Sequence, residues 1–353
     1  MPVAHAPQPT SCWPSGRVDR RTQTATLHSV KPARGVFCAL GLAAIAVVVF
    51  ICVRPETGGG WVKYAHNPVL GGEYGTCFDV SVLHDGDTYR MWVSWRPQKS
   101  IALVESSDGF HFAGPPRIVL GPTNSGWEDE VNRPAVIKHD GVYHLWYTGQ
   151  ANGHSAIGYA QSPDGTNWQR MSAQPVLKPE APWEKVAVMC PDVMWDEQAH
   201  LYRMWYSGGD QFEPNAIGYA TSPDGLVWTK STSNPVFAAD PGIPWEQERA
   251  TACHVVKQGD WYYLFYIGFR DVHRAQIGVA RSRDGITSWQ RSPQNPIVRT
   301  GNWFEWDRDA CYKPYALLDG TRWLLWYNGR RKNLEQIGVA THDGADLDFG
   351  TGN

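Results

Sequence analysis

The chain has 353 residues, 42% of them apolar and 12% aromatic, so it can bury a large core. Its 32 Lys and Arg residues nearly balance 35 Asp and Glu residues, which leaves a formal net charge of −3. This balance excludes an extended basic surface of the kind that binds nucleic acid, and any basic site must be local.

The N-terminal region differs in composition from the rest of the chain. Residues 36–53 form a run of 18 residues without a charge, close to the lower limit for crossing a bilayer. Residues 1–35 are polar and carry most of the nearby Lys and Arg, which predicts a disordered cytoplasmic leader. We expect a transmembrane signal-anchor helix, a tether over residues 54–60 and an extracytoplasmic domain. A cleaved signal peptide followed by secretion is the alternative.

Residues 61–353 contain an internal repeat. Similar stretches, such as "IGYAQSPDGTNW", begin at Ile101, Ile157, Ile217, Ile277 and Ile337, at spacings of 56, 60, 60 and 60 residues. Each copy contains four short runs typical of strands, with Asp-Gly or Gly-Asp pairs at two of the breaks. Four antiparallel strands repeated at this period predict an all-β fold, a five-bladed β-propeller.

The N-terminal end of this region predicts how the ring closes. The segment "WVKYAHNPVL", Trp61 to Leu70, resembles "WTKSTSNPVF", Trp228 to Phe237, which is the outermost strand of the third copy. We therefore expect residues 61–70 to complete the fifth blade. In the alternative, "LDFGTGN" at the C-terminus supplies that strand and residues 61–70 are only a linker.

Charged residues recur where the innermost strands begin. A gapless alignment of "CFDVSVL" with "CPDVMWD" places Asp79 and Asp192 at one position, occupied by Arg133 in the second copy and Lys313 in the fifth. The stretches "WEDE", "WEQE" and "WDRD" precede three of these strands, and they end in Glu130, Glu248 and Asp309. Charges of both signs are therefore predicted around the mouth of the central channel, where packing does not require them.

These motifs carry a resemblance to known enzymes. Over residues 61–349 the chain resembles the five-bladed propeller glycosidases, the superfamily of glycoside hydrolase families 32, 43, 68, 117 and 130. The resemblance implies three carboxylates: an Asp on the first blade, an Asp-Pro on the second and a Glu-Cys-Pro-Asp on the third. Asp79 matches the first, but Arg133-Pro134 and Met189-Cys190-Pro191-Asp192 stand at the other two. Two of the three family carboxylates are therefore replaced.

Cleavage of a glycosidic bond requires a proton donor and an opposing carboxylate that acts as nucleophile or base. We expect Asp79 to be the base and Asp192 the acid, with Glu130 and Glu248 as alternative acids. For each of these residues the competing interpretation is a salt bridge within the channel.

Other side chains expected on the same face would bind the substrate. They are Trp95, Arg133, Arg249, His254, Asp309, Lys313, Arg270 and Arg330. The basic loops of the first, fourth and fifth blades make an acidic or phosphorylated sugar one option for the ligand, whereas a solvated rim is the other interpretation.

The cysteines give no sign of a metal site. Four of them lie near the start of innermost strands, where they are either disulfides or buried thiols: Cys77, Cys190, Cys253 and Cys311. No Cys-x-x-Cys spacing occurs, so we expect neither a metal nor a cofactor.

The sequence thus predicts a membrane-anchored propeller that hydrolyses an oligo- or polysaccharide in its central funnel by carboxylate acid/base catalysis. Two alternatives stay open: a non-catalytic carbohydrate-binding propeller, and a glycoside phosphorylase or transferase. Met189 favours the binding protein, whereas Asp79 and Asp192 favour the enzyme.

Overall fold

The computed structural model describes residues 57–212 and 214–350. These residues form 21 strands and three short 3-10 helices, Gly72–Tyr74, Arg96–Gln98 and Pro182–Glu184, so the predicted all-β class is confirmed. The expected leader, the transmembrane segment and the first part of the tether lie outside the described residues. Within the described ranges, no helix has the length and apolar character needed to cross a bilayer.

The strands follow the sequence repeats. In the first two repeats they are β2 (Cys77–Asp85), β3 (Thr88–Trp95), β4 (Ser100–Ser106), β5 (Arg117–Leu120), β6 (Glu130–His139), β7 (Val142–Ala151), β8 (His154–Ser162) and β9 (Gln169–Arg170). In the third and fourth they are β10 (Ala187–Asp196), β11 (Leu201–Gly209), β12 (Pro214–Ser222), β13 (Thr229–Lys230), β14 (Phe237–Ala238), β15 (Arg249–Gln258), β16 (Trp261–Asp271), β17 (Arg274–Ser282) and β18 (Gln290–Arg291). The last repeat contains β19 (Ala310–Asp319), β20 (Arg322–Arg331) and β21 (Leu334–Asp343), together with β1 (Val62–Lys63).

Strands within each repeat pair antiparallel in chain order, as in β2-β3-β4-β5 and β15-β16-β17-β18. The second and third repeats are joined into one nine-stranded sheet by a parallel contact between Ala187 and Ser155. The first strands of successive repeats contact one another in a closed cycle, β2, β6, β10, β15, β19 and back to β2. The start of each repeat therefore faces a common centre.

In four of the five repeats, a Trp of the second strand ties the repeat to the following one. Its indole N–H donates to the carbonyl of a positive-φ glycine in the Asp-Gly turn of the following repeat. The four bonds join Trp92 to Gly165 at 2.9 Å, Trp146 to Gly225 at 3.0 Å, Trp205 to Gly285 at 2.8 Å and Trp326 to Gly109 at 2.9 Å. The Asp-Gly pairs are thus structural, and the last bond links the fifth repeat to the first.

The ring closes through the N-terminal segment, as predicted. Val62 pairs with Thr341 and Lys63 with Ala340, so β1 is the outermost strand of the sheet that contains β21. The alternative closure by the C-terminal segment is wrong, because Leu347 packs into the core and the described residues 344–350 form no strand. Thr57 also forms a bridge with Val298, so the described end of the expected tether contacts the domain.

A buried carboxylate is repeated in four of the five repeats, at the second position of the Trp-Glu or Trp-Asp motif. Each accepts a hydrogen bond from the Tyr of the second strand and pairs with a cation from an outermost strand. The sets are Glu128 with Tyr147 and Arg170, Glu184 with Tyr206 and Lys230, Glu246 with Tyr266 and Arg291, and Asp307 with Tyr327 and Lys63. The acidic motifs therefore hold the outermost strand of a repeat to its interior.

Lys63 makes β1 indispensable for this arrangement in the last repeat. We expect a chain that begins at Gly71 to melt about 10 °C below one that begins at Thr57, because Asp307 is left buried without its cation and the edge of β21 is exposed. Circular dichroism during heating measures the difference. Lys63→Met, which keeps the strand and removes the ion pair, should give a smaller decrease, and equal melting of both chains would contradict this role for β1.

Candidate functional site

The innermost strand of every repeat is interrupted by a β-bulge near its start. The residue at each bulge has positive φ, between 44° and 53°, although none is glycine; the five are Asp79, Arg133, Cys190, Ala252 and Lys313. The Pro residues of "RP", "CP" and "KP" fall within these bulges, where a missing N–H is tolerated. Bulges of this kind redirect side chains, and here they define five equivalent positions around the centre.

Hydrogen bonds between repeats hold the bulges in place. In four of the five bulges, the backbone N–H of the positive-φ residue donates to a polar side chain on the second strand of the preceding repeat. The bonds join Arg133 to Ser94 Oγ at 2.7 Å, Cys190 to Thr148 Oγ1 at 3.1 Å, Ala252 to Ser207 Oγ at 2.9 Å and Asp79 to Asn328 Oδ1 at 2.8 Å. At the fifth bulge the corresponding residue is Ile267, which has no side-chain acceptor.

A cavity of about 230 Å³ lies where these bulges meet. Three predicted site residues line it: Asp79, Arg133 and Lys313. The other lining residues are Phe78, Arg96, Gln150, Cys190, Phe212, Pro214, Thr251, Ala252, Ile267, Tyr312 and Glu335. The structure therefore brings together residues from all five repeats in one central cavity.

Asp79 is the buried carboxylate of this cavity. Its Oδ2 lies 3.2 Å from Nε of Arg133, and its Oδ1 accepts a hydrogen bond from the side chain of Asn328. The guanidinium of Arg133 is held in turn by Asn132 at 2.7 Å and Gln150 at 3.3 Å. Asp79 is thus a fixed, ion-paired hydrogen-bond acceptor.

A second carboxylate, Glu335, lines the same cavity from the start of β21. It accepts a hydrogen bond from the hydroxyl of Tyr312 and pairs with Arg96 at 2.7 Å. Burial, followed by the charge of Glu335, raises the pKa of Tyr312 well above its usual value, so this hydroxyl stays protonated and acts as a donor. The Arg96 side chain is 48% exposed, so this ion pair lies at the rim of the cavity.

Met189, at the position of the family glutamate, lies in an apolar cluster. It is fully buried and packs in one group with Cys190, Ala252, Ile267 and Phe269. One wall of the cavity is therefore apolar, whereas Asp79 and the charged residues form the other.

The predicted equivalence of Asp79 and Asp192 is wrong. The turn between β10 and β11 has four residues, Glu197 to His200, whereas the turn between β2 and β3 has two, so a gapless alignment of these segments shifts the third repeat by two positions. By register, Asp79 corresponds to Cys190 and Asp192 corresponds to Ser81.

Asp192 lies outside the cavity-lining set, and both of its oxygens are used in hydrogen bonds. Oδ2 accepts from the backbone N–H of Val255 at 2.7 Å, and Oδ1 contacts Nδ1 of His254 at 2.7 Å. His254 also contacts the carbonyl of Ala316 at 2.9 Å and stacks on Tyr315. Asp192 and His254 therefore form a layer of the channel that links the third, fourth and fifth repeats.

The remaining predicted acids lie outside the cavity. Glu130 reaches it only through Asn132, which donates to Glu130 at 3.1 Å and to Gln150 at 2.8 Å. Glu248 lies 3.4 Å from Nε of Arg249, which also approaches Asp210 at 3.5 Å. Neither of these glutamates, nor Arg249, lines the central cavity.

Part of the predicted basic rim forms a separate groove of about 530 Å³. Arg330 and Asp309 line it, together with His273, Arg274, Thr300, Gly301, Asn302, Trp303, Arg308, Lys332 and Asn333. Although burial raises the pKa of Asp309, hydrogen bonds from the Lys332 N–H and the Arg308 guanidinium keep this pKa below its ordinary value.

The other two predicted ligands line neither the central cavity nor this groove. Arg270 pairs with Asp271 at 2.8 Å. Trp95 donates its indole N–H to the carbonyl of Tyr74 at 2.8 Å. Some of the predicted substrate-binding residues thus line the cavity or the groove, whereas others, such as Trp95 and Arg270, have structural partners instead.

Cys77 and Cys253 are free, buried thiols, and Cys190 and Cys311 are also buried. Burial raises the pKa of Cys77 to about 12 and that of Cys253 well above its usual value. These two thiols stay protonated at neutral pH and are therefore weak nucleophiles.

Comparison with known proteins identifies the family. The Glycosyl hydrolases family 43 pattern matches residues 65–342. This chain belongs to that family. The resemblance to propeller glycosidases is thus confirmed, and the fold agrees with a solved structure described as a glycoside hydrolase, with a TM-score of 0.64, 18% identity, and coverage of 86% of this chain and 97% of the other.

The chain also has sequence relatives. A xylosidase/arabinosidase of Butyrivibrio fibrisolvens is 23% identical over 250 residues, which are 67% of this chain and 45% of that protein. The uncharacterized protein MT1551 of Mycobacterium tuberculosis (strain CDC 1551 / Oshkosh) is 26% identical over 179 residues, which are 47% of this chain and 58% of that protein. The chain thus spans about half the length of these two family relatives.

The hydrogen bonds of Asp192 predict a structural effect of its loss. We expect Asp192→Ala to lower the free energy of unfolding by about 3 kcal/mol, because Val255 N–H and His254 lose a charged partner in a buried layer. Urea denaturation followed by tryptophan fluorescence measures the change. Ser81→Ala, at the equivalent position, removes a neutral hydroxyl that accepts the 2.9 Å bond from Val136 N–H, and it should cost about 1 kcal/mol. A variant of Asp192 as stable as the wild type would contradict the structural role.

Proposed function

We propose that this protein hydrolyses a glycosidic bond of an oligo- or polysaccharide in the central cavity, with Asp79 as the base. Family membership supports a glycosidase in general, and Asp79 carries the specific proposal as the family carboxylate retained at the cavity. In this proposal each sequence repeat is one blade of a five-bladed propeller, and the innermost strands deliver the reacting groups.

Asp79 is held in place to act on the substrate. Arg133 and Asn328 fix its carboxylate at the cavity, where it can accept a proton from a water molecule or substrate hydroxyl beside the sugar. Arg133 stands where the family has a second carboxylate. It therefore replaces a negative charge beside Asp79 with a positive one.

Glu335 is the proton donor in this proposal. Among the described residues it is the other carboxylate that lines the cavity, whereas Asp192, Glu130 and Glu248 do not. Its partner Arg96 is half exposed, and an ion pair at such a rim contributes little, so substrate can displace it. The apolar wall that includes Ile267 limits the water around the proton donor once a substrate fills the cavity.

A second candidate function is glycan binding without catalysis. It is favoured by Arg133 and Met189, which stand where the family has its other two carboxylates. The same cavity would then hold the sugar through Asp79, Arg133 and Gln150 without breaking a bond.

Two substitutions test the hydrolase. We expect Asp79→Asn and Glu335→Gln each to lower turnover by about 10²-fold or more, which is the usual effect of losing a positioned acid or base. Released reducing ends are measured on a panel of polysaccharides and aryl glycosides.

The matched controls are Glu130→Gln and Glu248→Gln, which remove carboxylates outside the cavity and should keep turnover within a few-fold of wild type. Full activity of Asp79→Asn would remove Asp79 from the mechanism, and full activity of Glu335→Gln would do the same for Glu335. If the wild type binds a glycan of the panel and cleaves none, the binding function takes the place of the hydrolase.

A further inference from the structure

Lys313 is a buried lysine that has no counter-ion among residues 57–212 and 214–350. It lines the central cavity and is 4% exposed. Its ammonium group has one hydrogen bond, 3.5 Å long, to the carbonyl of Cys253, and it forms no ion pair with any carboxylate of the described residues. Burying an ammonium group in this way is costly unless a negative charge accompanies it.

The other charges of the cavity cancel in pairs. Arg133 pairs with Asp79, and Arg96 pairs with Glu335. The cavity is lined by three cations and two carboxylates, so the charge of Lys313 is left over. An incoming group with one negative charge would balance it.

Thr251 provides a second, independent indication of a ligand. The residue lines the same cavity and is 1% exposed, and its buried Oγ1 has no hydrogen-bond partner among the described residues. Buried polar atoms are nearly always paired, so an unpaired hydroxyl on a cavity-lining residue calls for an explanation. Ala252, which follows Thr251 at the bulge, leaves space where other repeats have larger side chains.

We propose that this cavity binds an anionic oxygen group, with Lys313 as its counter-ion and Thr251 as a hydrogen-bond donor. The group is the carboxylate of an acidic sugar or a phosphate, because a compact ammonium suits both. This inference rests on the proposed function, because the anion would occupy the same cavity as Asp79. It specifies the substrate as an anionic glycan or as a glycan that is bound together with phosphate. A volume of about 230 Å³ fits a small group of this kind.

Three probes test the inference on the full chain by calorimetric titration: galacturonate, inorganic phosphate and neutral galactose. We expect galacturonate or phosphate to bind at least tenfold more tightly than galactose. Lys313→Met should weaken binding of that anion at least tenfold and leave galactose unchanged, since one charge-assisted contact is lost.

Thermal melting separates this role from a structural one. Because Lys313→Met removes an unpaired buried charge and keeps a side chain of similar length, it should melt at or above the temperature of the wild type without ligand. Lys138→Met is the matched control, since Lys138 pairs with Asp85 at the other end of an innermost strand and should leave anion binding unchanged.

The binding and melting results together decide whether the cavity binds an anion, and which one. Tight galacturonate binding identifies an acidic sugar, and tight phosphate binding identifies phosphate. Absence of both, retained binding by Lys313→Met, or a large fall in its melting temperature overturns the inference. Cleavage of a neutral glycan with no anion binding would overturn this inference alone, whereas anion binding without cleavage of any substrate would overturn only the hydrolase.

Discussion

The hydrogen bond from the bulge N–H to the preceding repeat, present in four of the five bulges, is the interaction on which the site depends. A non-glycine residue in the left-handed region is costly, and Asp79 and Arg133 adopt it only where Asn328 and Ser94 hold the backbone. Each acceptor belongs to a different repeat from its donor. The geometry of the cavity is therefore a property of the closed ring and not of any single repeat.

The replaced family positions form a consistent arrangement. Arg133 forms an ion pair with the carboxylate that is kept, and Met189 extends an apolar wall with Ile267 and Ala252. A lone glutamate at position 189 would be buried among apolar groups without a partner, at a high cost. The cavity is thus lined by two ion pairs, Asp79 with Arg133 and Glu335 with Arg96, and by one further cation, Lys313.

The repeat period, the Asp-Gly turns and the outermost strand could be predicted from the sequence, because each recurs with the same spacing. The position of Asp192 could not be predicted, because the β10–β11 turn is two residues longer than the β2–β3 turn and the similarity of "CFDV" to "CPDV" conceals the difference. Glu335 was missed for a different reason. It lies on the third strand two residues before the recurrent Ile, where other repeats have Lys99, Ser155, Asn215 or Ala275, and only the ring brings it near Asp79.

The pairing of Lys63 with Asp307 has a consequence for how the chain acquires its structure. The two residues are 244 positions apart, so this contact has a very high sequence separation and a large loop-closure entropy. During synthesis β1 emerges first and has no partner until the last repeat has followed it. Completion of the ring is thus a late step, and until then Asp307 is a carboxylate that opposes burial of its own repeat.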